Sequence, residues 1–203
     1  MNNANMIQSV LRLIVLGAAI TTVTAQTGQA QIITEPSVPS NLKPPAGNQA
    51  FLKAAAVGTQ NYICLPSGWT QVGPQATLFV TLQWFNGTIR QQVATHFLTP
   101  NPAEVATNRP LWQSSSDSTI VWGKQIDFSE DPNYVQPNAI PWLLLQAAGN
   151  QNGPSGGSML SQATFIQRVN TSGGMKPTTP CSVGAREFVP YAADYVFYRK
   201  VGN

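Results

Sequence analysis

The side chain in this 203-residue sequence best suited to acid–base chemistry is its one histidine, His96. A neutral imidazole gives and takes a proton near neutral pH, and beside a carboxylate it can serve a hydrolytic reaction. One histidine excludes multi-histidine metal sites. Asp127, Glu130 and Asp131 gather in one turn. Clustered carboxylates suit calcium, but Asp at a turn more commonly caps backbone amides. No metal and no cofactor are expected. Gly153-Pro154-Ser155-Gly156-Gly157 matches G-x-S-x-G. A nucleophile elbow needs a strand-to-helix turn and a histidine after the serine, whereas here the histidine comes first and the flanks read as a Gly-rich turn. Asp194 alternates with Ala192, Val196 and Tyr198 on an apolar face. A carboxylate there needs a partner, and Arg168 is the expected one, as a structural pair. Trp69 and Trp112 read as loop residues that offer flat faces for stacking. Together with His96 and Arg90 they form the candidate ligand groove, for an extracellular ligand such as a carbohydrate or another cell-surface component.

The elements that must position these residues read as strands. Ala76–Phe85 and Thr88–Leu98 alternate on either side of Asn86-Gly87. Asn-Gly between alternating runs is a strong hairpin signal, because a type I′ turn requires positive φ at both central residues. With those two as the loop, His96 faces Thr77 on the side that carries Arg90, Gln92 and Thr81, and is expected to be solvent-accessible. Further strands are expected at Phe51–Val57, Asn61–Leu65, Thr119–Phe128, Trp142–Ala147, Gln162–Asn170 and Tyr191–Arg199. Trp142–Leu145 could equally form a buried helical turn. Loops fall at 99–118, 129–141, 149–158 and 171–187. This pattern predicts an all-β domain, a single antiparallel β-sandwich or barrel with long Pro- and Gly-rich loops. Charged residues are only 9% of the chain against 42% hydrophobic, too few charges for the wet faces of an all-α fold.

Residues 13–20 form a short apolar run after Arg12, and Val23-Thr24-Ala25 fits the small-residue pattern before a cleavage site. Residues 1–25 therefore read as a signal peptide, 26–49 as a Pro-rich leader or linker, and 50–203 as the β domain. In a secreted or periplasmic protein, the two cysteines Cys64 and Cys181 are expected to form a disulfide. The formal net charge is +3, with no basic run beyond Arg199-Lys200, which argues against nucleic-acid binding. No membrane span is expected after cleavage.

Several segments carry a resemblance. They are Gly58-Thr-Gln-Asn-Tyr-Ile-Cys64, Gly73-Pro-Gln-Ala-Thr-Leu-Phe79, His96-Phe97, Ile140-Pro-Trp-Leu-Leu-Leu145, Ile166-Gln-Arg-Val-Asn-Thr171 and Val189-Pro-Tyr-Ala-Ala-Asp-Tyr-Val-Phe-Tyr198. In order and spacing this set resembles the domain of unknown function 3455 family of secreted bacterial and fungal proteins. The resemblance implies an exported domain without an established activity. Some fungal relatives carry a malate dehydrogenase label, but the chain has no G-x-G-x-x-G to hold a nicotinamide cofactor. The reading from sequence is a module that binds an extracellular or cell-surface ligand. The alternative is a small secreted hydrolase using His96 and a nearby carboxylate.

Overall fold

Runs of β-branched and aromatic residues, broken by Gly, Pro and Asn, build strands and little else. The computed structural model describes residues 33–202, so the expected signal peptide lies outside the described residues. The strands are β1 (Asn48–Leu65), β2 (Gly68–Trp84), β3 (Gly87–Pro100), β4 (Asn108–Ser114), β5 (Ile120–Ser129), β6 (Trp142–Gln151), β7 (Phe165–Gly173) and β8 (Arg186–Lys200). Each pairs antiparallel with the next, and β8 returns to pair with β1. The sheet therefore closes into an eight-stranded barrel rather than splitting into a sandwich. A single 3-10 turn, Ser40–Leu42, is the one helical element among the described residues. Trp142–Leu145 is strand, not helix.

Alternation then sorts the side chains. Inside the barrel, the small Ala54, Ala56, Ala76 and Ala94 of β1–β3 leave room for Trp112, Leu145, Ile166, Tyr195 and Phe197. Alternating small and large residues is how a barrel of this strand number fills its interior or keeps space for one small ligand. Outside, a second buried cluster joins Trp142, Leu144, Phe165, Val196 and Tyr198 to Val38 and Leu42 of the Pro-rich segment. That segment lies along the domain and is bonded to it. Gln167 Nε2 donates to the Leu42 carbonyl at 2.6 Å, and Asn41 Nδ2 donates to Asp127 Oδ1 at 2.8 Å.

The two barrel ends differ. One end is plugged by Leu160 and Ala163 from the loop between β6 and β7, both in the interior cluster. Asp117 anchors the plug by accepting from Met159 N at 2.9 Å. A Cβ on Gly153 would collide with the Asp117 carbonyl oxygen, and one on Gly157 would lie 2.5 Å from the Asp117 Cβ. The glycines around Ser155 therefore serve close packing against Asp117. At the other end the β7–β8 loop is tied down by the Cys64–Cys181 disulfide, with a Cα separation of 6.0 Å. Tyr62 Oη donates to the Gly174 carbonyl at 2.8 Å, which holds the start of the same loop.

The hairpin register differs from the sequence expectation. Trp84 pairs with Gly87, so the loop residues are Phe85 and Asn86. Gly87 takes a positive φ of 146°, but Asn86 does not, so the type I′ turn is not formed. A bulge between Leu78 and Phe79 shifts the pairing again. The net slip is one residue, and one residue exchanges the faces of a strand. His96 consequently lies opposite Ala76 and points inward, 2% exposed. Its expected place on a solvated face is overturned.

Candidate functional site

The interior encloses a cavity of about 410 Å³ at the end opposite the plug. Its inner wall is aromatic and aliphatic: Trp112, Tyr195, Leu145, Leu143 and Ile140. His96 stacks on Trp112 with ring centroids 4.4 Å apart and planes 7° from parallel, and Tyr195 meets both rings at a tilt. Polar side chains stand nearer the mouth: Gln60, Tyr62, Gln71, Arg168, Glu130 and Lys176. Gln60, Tyr62, Gln71 and Arg168 come from paired strands, and Glu130 and Lys176 from loops. Gln60 and Tyr62 continue the inward face of Ala54 and Ala56 on β1, Arg168 follows Ile166 inward on β7, and Lys176 rides on the disulfide-tethered loop.

His96 Nδ1 lies 2.8 Å from the Leu111 carbonyl oxygen. A carbonyl only accepts, so Nδ1 carries the proton and Nε2 keeps its lone pair. Burial drives the His96 pKa down to about 3, the Leu111 hydrogen bond opposes the fall, and the Arg168 charge adds to it. The ring is neutral throughout the physiological range and a weak base. Burial likewise raises Tyr195, with the Arg168 charge pulling the other way. Burial also raises Tyr191 and Tyr62. All three phenols stay protonated at neutral pH.

Two buried donors in the cavity wall lack partners among the described residues: Gln60 Nε2 and Trp112 Nε1. Gln60 is fully buried, and its Oε1 accepts from Gln71 Nε2. Arg168 spends Nε and Nη2 on the Pro141 carbonyl, at 3.2 and 2.9 Å.

The structure redistributes the residues singled out from sequence. His96 and Trp112 do come together, but inside the barrel. Trp112 belongs to β4, a strand that the sequence reading left within a loop, and it is 1% exposed. It is therefore no exposed platform. Trp69 lies on β2, half-buried, with Nε1 donating to the Thr179 carbonyl at 3.0 Å. Arg90 sits on the β2–β3 hairpin, away from the cavity mouth, with its guanidinium 4.4 Å over the Phe79 ring. The four do not share a groove. The Arg168–Asp194 pair is also corrected, because neighbouring β8 positions alternate: Tyr195, beside Arg168, points inward, and Asp194 points outward. Asp194 instead pairs with Lys53 at 3.2 Å and accepts from Asn170 Nδ2 at 2.9 Å. Asp127 and Asp131 cap the amides of Phe128 and Asn133. No group of three His, Cys, Asp or Glu side chains could hold a metal ion among the described residues. Gln60, Tyr62 and Tyr195 were missed as site residues. For Gln60 and Tyr62 the signal was the alternation Ala54, Ala56, Gly58, Gln60, Tyr62, in which small residues give way to polar ones on one face.

A family model described as a protein of unknown function, DUF3455, matches residues 45–199. The chain belongs to the DUF3455 family. The DUF3455 match covers all eight strands of the barrel but for the last residue of β8. No curated protein matches this DUF3455 chain, and no solved structure matches it. The disulfide of this DUF3455 domain is compatible with an oxidising, secreted or periplasmic setting. No helix among the described residues is long and apolar enough to cross a membrane.

Proposed function

We propose that this DUF3455 domain is a small-molecule binding module of a secreted or periplasmic protein, and that the ligand enters the barrel. The observation that carries the reading is the 410 Å³ cavity, plugged at one end, with unpartnered buried donors in its wall. Leaving a buried donor without a partner costs roughly 1–3 kcal/mol, and a ligand acceptor removes that cost. An apolar pocket with a few polar groups near one end is the usual form of a small-molecule site. Hydrolysis through His96 draws less support. The ring is oriented by a backbone carbonyl rather than a carboxylate, and it is too weak a base.

The test uses a neutral apolar fluorophore, N-phenyl-1-naphthylamine. Saturable one-to-one binding is expected, with loss of binding in Leu143→Trp, which fills the cavity near Arg168. A variant that stays folded, as judged by circular dichroism, and still binds the probe unchanged would place binding elsewhere and overturn the reading.

A further inference from the structure

The cavity offers donors and little negative charge. Among the described residues the ion pairs are Lys53–Asp194 and Arg109–Glu104, and Arg168 belongs to neither. Arg168 is half-buried, always charged, and exerts its charge on His96, Tyr62, Tyr191 and Tyr195. A guanidinium has five N–H donors. Two go to the Pro141 carbonyl, which leaves donors for a ligand. Gln60 Nε2, buried and unpartnered, lines the same space. The charged side chains lining the cavity are Arg168 and Lys176 against Glu130. Glu130 and Lys176 are exposed at the rim, where solvent screens them, so the field within is that of Arg168. His96 adds no charge there.

A half-buried cation without a counter-ion is poorly compensated, and an anionic ligand would compensate it. One guanidinium matches the planar, two-oxygen geometry of a carboxylate, whereas a phosphate dianion is usually held by several cations. The deeper wall is apolar and flat, formed by Trp112 stacked on His96 with Leu145 beside them.

We infer that the cavity takes a small organic acid with an apolar, flat body, its carboxylate on Arg168 and Gln60 and its body against Trp112. This rests on the proposed function above and names the class of ligand.

The experiment compares 2-naphthoate with its neutral analogue 2-naphthamide, by titration calorimetry on the folded protein. The wild-type protein is expected to bind the acid at least tenfold more tightly than the amide. Arg168→Gln is expected to lower naphthoate affinity tenfold or more and to leave naphthamide within twofold. Equal wild-type affinities for the two would overturn the carboxylate assignment and leave the binding module standing. An equal loss of both in Arg168→Gln would overturn the role of Arg168 as the anion's partner. Binding of neither compound, with the fluorophore also excluded, would overturn the module itself. The wild-type ratio decides even if the variant fails to fold.

Discussion

Replacing His96 with glutamine should remove most of the pH dependence of stability between about pH 5 and 7.5, a window in which few other side chains titrate. His96 is the chain's one histidine. Its ordinary pKa is 6.5, and in the folded barrel burial brings it to about 3. Between those values the unfolded chain takes up a proton that the folded chain refuses. The stability associated with the neutral ring is thus complete above 6.5 and declines as pH falls towards 3. The slope approaches about 1.4 kcal/mol per pH unit, and integrating from about pH 7.5 to 5 gives a loss of about 2 kcal/mol. Urea unfolding followed by tryptophan fluorescence, at constant ionic strength, measures it. His96→Gln itself should cost about 1–3 kcal/mol at neutral pH, because the stack on Trp112 is lost in a packed interior. Its stability should then be nearly flat over the window. Equal pH slopes for wild type and variant would refute the buried placement. So would a native imidazole titrating near 6.5 by NMR.

The Cys64–Cys181 bridge spans a sequence separation of 117. On the chain-entropy relation, replacing both cysteines by alanine should lower unfolding stability by about 4.9 kcal/mol, measured by denaturant titration, and a loss below about 1 kcal/mol would contradict that account. Leu42→Ala should cost about 2–5 kcal/mol in the same assay, since Leu42 is fully buried on the outside of the barrel. A cost within about 0.5 kcal/mol would mean that the Pro-rich segment is not part of the folded unit.

Strand existence was legible because the chain alternates. Trp142–Ala147 and Tyr191–Arg199 each fall within observed strands, and Thr119–Phe128 starts one residue before β5. The disulfide was legible from cysteine parity. Closure was not, because it depends on β8 meeting β1, a pairing between the two ends of the domain that no local pattern encodes. β4 was hidden because Asn108-Arg109-Pro110 reads as loop, yet it starts a strand. That omission put Trp112 outside. His96 was lost to a bulge at Leu78–Phe79 combined with a turn one residue early, both invisible to alternation and jointly enough to reverse a face. Arg168 was noticed, but its neighbour Asp194 was assumed to share its side. Inward and outward faces of one closed sheet are both partly apolar here, so apolar alternation alone does not say which is the interior.

The seam between the first and last strands also bears on how the molecule is made. Asn48 pairs with Lys200, so the last contacts to close the ring join residues at opposite ends of the domain. Such distant partners make for slow folding, since the loop must close before the pairing rewards it. Until then β1 and β8 each present an unpaired edge, the kind of template on which chains aggregate. A nonsense mutation a few codons into β8 would therefore leave an open, adhesive sheet rather than a slightly smaller barrel.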